Sequence, residues 1–334
     1  MTWLARNAVL SLLCLLLTQQ ADKQKPTTPE DEPIKLRATL VQVPVIVKEV
    51  GGRYLTDLKR EEFAIYEDGV KRDVEFFGTV EEPFNVALLI DSSGSTVEQL
   101  EAIKKAALTF IENLRPQDKV MIVEFNDSVS IHSELTGDHS QITRAINEIK
   151  PGEYTQVYEA VYTAVWERLE EIEGRKAVIL FSDGIDTASS EISREDTLDA
   201  IIESEDVIVY PIRYSTREDV ERKLEKRFTI QMASDNPKVK EDHDKALREL
   251  DRSYREADEY LFEMARLSGG VVERADRLTD LKAAFGRITE ELRRQYLLGY
   301  YPPDKKNDKE RRISVTVSRP GAVVRARPGY RVAQ

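Results

Sequence analysis

The chain has 334 residues, of which 41% are hydrophobic and 33% charged, with 49 basic against 61 acidic side chains and a formal net charge of −12. That length and apolar content suffice for a full core and for more than one small folding unit. The acidic balance argues against a nucleic-acid partner, which needs a basic face, and the single cysteine, Cys14, excludes an internal disulfide.

At the N-terminus Arg6 precedes an apolar run from Ala8 to Leu17. A charged start and a hydrophobic stretch too short for a comfortable membrane span have the layout of a secretory signal peptide. The reading is a signal over residues 1–21, cut after Ala21, and a secreted or periplasmic mature chain. Gln19 is a poor residue three before the cut, so an uncleaved N-terminal anchor is the alternative and the one route to a membrane. Cys14 lies inside the signal, which leaves the mature chain without a thiol. Residues 22–35 are polar and proline-containing and read as a linker.

From Leu36 to Val47 the residues Val41, Val43, Val45 and Val47 alternate at period two, the pattern of a strand. Pro44 inside it predicts an edge strand or a bulge. Phe63–Tyr66 and Val70–Phe77 flank Glu67-Asp68-Gly69, and an Asp-Gly pair between two β-rich runs predicts a hairpin. Residues 36–80 therefore form a β segment. The pattern then changes. Val86–Ile90, Val120–Phe125, Ala177–Phe181 and Val207–Tyr214 are apolar runs of the kind that strands covered on both faces show. Between them lie helical patterns: Val97–Leu114, a short one at Ile142, Ile146 and Ile149, one from Val157 to Leu169, and one around Leu198, Ile201 and Ile202. This alternation predicts an α/β domain over residues 81–294, a doubly wound, mostly parallel sheet with helices on both faces.

Residues 215–256 interrupt the rhythm as a charged helical insert. Leu247, Leu250, Tyr254, Ala257, Leu261 and Met264 follow at spacings of three and four, a stripe on a long helix closed by Gly269-Gly270. The stripe is short for a zipper, so packing on the sheet is preferred to a coiled-coil dimer, and the oligomeric state is left open. Val271–Glu273 reads as a last edge strand, and Leu281, Phe285, Ile288 and Leu292 as the last helix. In residues 295–334 β pattern returns at Tyr296–Tyr301, Ile313–Val317 and Val323–Arg327, with a polar loop holding Pro302, Pro303 and Asp304. Each flank has too few strands to bury a core alone. The two are therefore expected to pair into one small β domain, with the α/β domain inserted between them.

Ligands in parallel α/β sheets bind beyond the carboxyl ends of the strands. Oxygen-bearing side chains gather there. The first parallel strand ends in Asp91-Ser92-Ser93-Gly94-Ser95, with Gly94 expected to tighten the turn. The third ends in Ser182-Asp183-Gly184, and Thr155 stands just before a helix. Asp91, Ser93, Ser95, Thr155 and Asp183 together make a hard-oxygen donor set, suited to Mg2+ or Mn2+ rather than to zinc. Each has a plainer role: Ser93 and Ser95 as helix caps, Thr155 as a cap for the helix near Val157, Asp183 as a turn residue. Five at the right strand ends together favour the metal. Asn126 and Asp186 fall on the same face, as supporting or turn residues behind the ligands.

The order Asp91-x-Ser93-x-Ser95, Thr155, Asp183 resembles the complete metal-ion-dependent adhesion site of von Willebrand factor A domains, over residues 82 to 294. The resemblance implies a first shell with few anions, so that the ion accepts a carboxylate, an Asp or Glu, from a protein ligand. The flanks, Leu58–Phe63 with Tyr66–Gly69 and Gln295–Pro302, look like a group of secreted bacterial A-domain proteins typical of acidobacteria. The expected function is an extracytoplasmic, metal-dependent protein-binding module and not an enzyme. The rivals are a metal that only braces loops in an envelope scaffold, and a metal-dependent hydrolase. A serine hydrolase would need a G-x-S-x-G elbow and a histidine partner. Ser93 has no such elbow, and His132, His139 and His243 are the only histidines.

Overall fold

Val41, Val43, Val45 and Val47 all face one core from β1 (Val41–Glu49), as their alternation requires. The computed structural model describes residues 40–79, 82–204, 206–232, 237–275, 277–303 and 310–331. The signal and linker segments, with Cys14, residues 36–39 and Asp304, lie outside the described residues. β2 (Phe63–Glu67) turns into β3 (Val70–Arg72) through Asp68 and Gly69, whose φ values are 50° and 79°. Two consecutive positive φ values mark the type I′ hairpin that an Asp-Gly pair favours. The expected strand Val70–Phe77 is divided. Its second part, β4 (Phe76–Gly78), joins a different sheet from β3.

The α/β domain follows in chain order as β5 (Phe84–Asp91), α1 (Leu100–Glu112), β6 (Lys119–Phe125), β7 (Val129–Thr136), α2 (His139–Glu148) and α3 (Val157–Tyr162), which runs on as a π-helical turn to Arg168. Then come β8 (Arg175–Ser182), α4 (Arg194–Glu203), β9 (Val207–Arg213), α5 (Arg217–Met232), α6 (Pro237–Ser268), β10 (Glu273–Arg274) and α7 (Leu278–Leu292). The sheet order is β10-β9-β8-β5-β6-β7, parallel except for β7. Successive strand residues point to opposite faces. Val86, Leu88 and Ile90 therefore meet α1, α2 and α7, while Ala87 and Leu89 meet α3, α4 and α6. Among the described residues no helix is long and apolar enough to cross a membrane.

Two parts of this domain differ from expectation. The first helix starts at Leu100 rather than Val97, because residues 94–99 are turns and Val97 is exposed. The stripe on α6 is divided by burial. Tyr254, Ala257, Leu261 and Met264 are buried, whereas Leu247 and Leu250 are half-buried, in the part of the helix that leans on α5. The stripe is thus used within the chain.

The C-terminal strands are β11 (Tyr296–Tyr300), β12 (Glu310–Val317), β13 (Ala322–Ala326) and β14 (Gly329–Arg331). They pair with the N-terminal ones in two antiparallel four-stranded sheets, β13-β1-β11-β4 and β14-β12-β2-β3. A shared core lies between them, with Val43, Val45, Ile65, Tyr296, Leu298 and Val315 among its members. β1 is an inner strand, yet at Pro44 it has a neighbour on one side only. β11 pairs with residues 41–45, and β13 begins at Val45. The missing N–H is thus accommodated at a local edge. Gly78 of β4 pairs with Leu297 of β11, so the chain leaves this β unit and returns to it at neighbouring points. Both points lie at the amino-terminal end of β5, away from Asp91.

Candidate metal centre at the carboxyl edge of the sheet

β5, β8 and β9 run side by side, and their carboxyl ends bring Asp91, Ser182 and Arg213 to one edge. Asp91 is fully buried, accepting the Ser93 backbone N–H at 3.0 Å on Oδ1 and the Ser182 hydroxyl at 2.7 Å on Oδ2. The chain after it is a tight turn, in which the Thr96 hydroxyl lies 3.0 Å from the carbonyl oxygens of both Asp91 and Ser93. Ser93 Oγ is 3.1 Å from Ser95 Oγ, and Ser95 Oγ donates to Asp183 Oδ2 at 3.3 Å. Asp183 also accepts the Ile185 N–H at 3.0 Å and the hydroxyl of Thr216. The two serines do not cap α1, whose N-cap position is held by Gln99. Gly94 is placed for close approach rather than for a special φ, since a Cβ there would lie 3.1 Å from the Glu153 carbonyl oxygen.

That carbonyl belongs to the loop that delivers Thr155. Gly152 N–H donates to the Ser92 carbonyl at 2.8 Å, and Asp127 Oδ1 accepts the N–H groups of Glu153 and Tyr154. The buried Glu124 ties the same parts together. Its Oε1 accepts the Ser92 hydroxyl at 2.8 Å and the Lys150 N–H at 2.9 Å, and its Oε2 is 2.6 Å from His132 Nε2. Thr155 itself is buried, its N–H donating to the Thr187 hydroxyl and its carbonyl accepting the N–H groups of Thr187 and Ala188. The N-cap of α3 is Gln156, not Thr155. Asn126 donates to Ser92 Oγ at 3.0 Å and braces this loop. Asp186 accepts the Tyr158 N–H of α3 and both the N–H and hydroxyl of Ser189, the work of a turn and capping residue.

Electrostatics separates the two central carboxylates from ordinary surface acids. Burial, reinforced by the charge of Asp183, pushes Asp91 up to about 7 despite the hydrogen bonds from Ser93 and Ser182. Burial likewise raises Asp183, against the hydrogen bonds from Thr216, Ile185 and Ser95. All the hydrogen bonds described at these two carboxylates come from hydroxyls or backbone N–H groups, not from lysine or arginine. Two buried like charges without a bonded cation resist ionising together. A divalent ion would remove that conflict, and the oxygen-only donor set suits a hard one. Among the described residues no group of three or more His, Cys, Asp or Glu is placed to hold a metal. The candidate centre has two carboxylates and completes its donors with hydroxyls. His132 is engaged with Glu124, and His243 lies against the Phe228 ring, so neither supplies a base to Ser93.

Residues 86–185, which include all five candidate ligands, match the model of the von Willebrand factor type A domain. The chain carries a von Willebrand factor A domain. A curated relative, an uncharacterized protein of Synechocystis sp., is 29% identical over 106 residues, covering 30% of this chain and 25% of that protein. The match thus spans about a quarter of the relative's length. Among solved structures, a von Willebrand factor type A protein of Catenulispora acidiphila aligns at 12% identity over 82% of this chain and 74% of that one, with a TM-score of 0.45. BatB of Bacteroides thetaiotaomicron aligns at 18% identity over 63% of this chain and 98% of its own, with a TM-score of 0.43. Proximal thread matrix protein 1 of the mussel byssus, solved with a zinc-occupied MIDAS motif, aligns at 14% identity over 68% and 49%, with a TM-score of 0.46.

The sequence offers Ser182 only as the neighbour of Asp183 and Tyr254 only as a position of the helix stripe, and it does not mark Thr216 or Glu124 as site residues. Thr216 follows β9 at the same carboxyl edge, and that position was the available signal. Glu124 and Tyr254 act through partners 32 and 38 residues away, which local pattern does not show.

Proposed function

We propose that the A domain is an extracytoplasmic, metal-dependent protein-binding module. Asp91, Ser93, Ser95, Thr155 and Asp183 would hold Mg2+ or Mn2+, either directly or through water. The bound ion would supply a coordination position for an acidic oxygen, an Asp or Glu side chain of a protein partner. The observation that carries this reading is the pair of buried carboxylates, Asp91 and Asp183, met by neutral donors beside two serine hydroxyls. The flanking segments fit the secreted acidobacterial kind of A-domain protein, and the N-terminal signal would bring the chain to the periplasm or the exterior. No catalytic role is assigned.

The test is calorimetric titration of the full chain with Mn2+ and Mg2+. Wild type should bind one ion. Asp91→Ala should weaken binding by roughly a hundredfold or more and Ser95→Ala by roughly tenfold, as loss of a ligand does. Asp186→Ala, which removes a turn contact, should change it little. Equal titrations for wild type and Asp91→Ala would remove the site assignment. Retention of proteins from the source envelope should then be lost in EDTA, restored by Mg2+ and absent in Thr155→Ala. Metal binding without any such retention would favour a bracing role for the ion.

A further inference from the structure

The charged insert of the sequence stands at the metal face. Thr216 lies between β9 and α5, is fully buried, and donates its hydroxyl to Asp183 Oδ2. The same Thr216 oxygen is 2.7 Å from the hydroxyl of Tyr254 on α6. A threonine hydroxyl has one proton. With that proton committed to the carboxylate, the Tyr254 proton must be the one shared between the two hydroxyls. Burial holds the Tyr254 hydroxyl well above its usual range, so it remains a donor. With Asp183 ionised, as a bound cation requires, the order therefore runs from Tyr254 to Thr216 to Asp183.

Further contacts fasten the helices to the same rim. Gln99, at the start of α1, donates to Asp219 of α5 at 2.9 Å. Lys223 of α5 reaches the carbonyl oxygen of Gly94, inside the serine turn, at 3.4 Å. Arg217 bonds Glu221 within α5 and Asp251 across on α6, which holds the two helices together near their base. The ring of Phe228 meets His243 farther out. The outer half of α6 is poorly buried, and it meets α5 through Arg217–Asp251 and Phe228–His243.

We propose that Thr216 and Tyr254 are positioning residues for Asp183, and that through them the α5–α6 pair and the cation site share one conformational equilibrium. The proposal rests on the reading of the site as a cation site. A cation that needs Asp183 in one place steadies the hydroxyl chain and with it the helices. By reciprocity, a partner that grips the helices changes the cation affinity by the same factor. The insert is then the part of the molecule through which a bound protein and the metal sense each other.

The experiment uses the full chain, with Mn2+ alone as the probe, and hydrogen exchange over α5 and the first half of α6. In wild type Mn2+ should slow exchange there. Tyr254→Phe keeps the ring and removes the proton. It should weaken Mn2+ roughly tenfold, the usual effect of losing a support behind a ligand, and abolish the Mn2+-dependent protection of the helices. Exchange in β5 and β8 should remain as in wild type, which shows that the fold is intact. Thr216→Val should act like Tyr254→Phe or more strongly, and Thr216→Ser, which keeps the hydroxyl, should restore both readouts. If wild type binds Mn2+ but its helices ignore the ion, or if Tyr254→Phe and Thr216→Val match wild type in both readouts, the coupling is overturned while the cation site stands. If wild type does not bind Mn2+, the cation reading falls, and this one with it.

Discussion

The two ends of the A domain bury carboxylates in opposite ways. At the carboxyl edge of the sheet, Asp91 and Asp183 are buried among hydroxyls and backbone N–H groups. Where α7 meets the β unit, Glu291 is 4% exposed, and it accepts from Arg325 of β13, from Lys48 at 3.5 Å and from the Tyr54 hydroxyl at 3.4 Å. Nearby, the buried Arg327 donates to the carbonyl oxygens of Ile201, Ile202 and Ser204, at the end of α4 where a cation is favourable. One end meets its buried acid with cations of the same chain and its buried arginine with carbonyl oxygens at a helix end, and it is a joint. The other holds like charges whose described hydrogen-bond donors are all neutral, the feature on which the proposed cation site rests. The lesson is that burial of an acid does not by itself mark a site; what marks it is the kind of partner.

Removing the joint altogether should give the largest effect. Deleting Tyr296–Gln334 takes away both neighbours of β1, the β12 neighbour of β2 and the Arg325 and Arg327 contacts. Hydrogen-exchange protection over β1 and β2 should fall to the level of unfolded chain, while Mn2+ affinity of the A domain stays within a few-fold of wild type. Protection of β1 that survives the deletion would mean that the N-terminal strands fold without their partners, and the joint would lose its role.

Single substitutions should then separate the ends by sign. Glu291→Ala leaves Arg325 and Lys48 without their acceptor. Both are about a third exposed, and water recovers part of the loss, so a destabilisation of about 2 kcal/mol is expected. Asp91→Asn, measured in EDTA at pH 8, removes one of two repelling charges. It should cost nothing or stabilise by on the order of 1 kcal/mol, the lost hydrogen bonds offsetting part of the relief. Urea unfolding of both variants checks this. An Asp91→Asn loss as large as that of Glu291→Ala would mean that Asp91 is satisfied within the chain, and the contrast would be gone.

Much of this was legible in the residues. The buried parallel strands announce themselves as apolar runs, and the five candidate ligands are readable because each sits at a strand or helix end that local pattern locates. The hairpin at Asp68-Gly69 is likewise local chemistry. What escaped is either polar on one side or non-local. β7 alternates through Val129, Ile131, Ser133 and Leu135 with polar residues between, the signature of an edge strand covered on one face, but too interrupted to read as an apolar run. α5 is so densely charged that no apolar stripe marks it. The division of the flanks into two sheets rather than one rests on pairings such as Val43 with Leu298 and Ile65 with Val315, separated by some 250 residues. No spacing rule reaches that far. The hydroxyl chain from Tyr254 to Asp183 escaped for the same reason, since its members are unremarkable until the fold joins them.

The smallest expected effect is in pH, and it sharpens the comparison most. Asp91 is held up to about 7 in the folded domain, above its ordinary carboxylate value of 3.8, by burial first and by Asp183 second. Its folded-state pKa is raised, so the protonated form favours the fold. In EDTA that contribution is complete below about pH 4 and is lost as the pH rises through 7. A cation acts in the opposite sense, because it needs the carboxylate and displaces the proton. The rise in Tm produced by saturating Mg2+ should therefore be larger at pH 8 than at pH 5.5, by a few degrees. Asp91→Asn should abolish the rise at both pH values. The Glu291 end should contribute nothing to the difference, so Glu291→Ala should lower Tm while leaving the Mg2+ increment and its pH dependence as in wild type. An Mg2+ increment that is flat between pH 5.5 and 8 would show that no proton leaves when the ion arrives. Asp91 would then have to be charged already without it, and the distinction between the two buried ends would have to rest on something other than their partners.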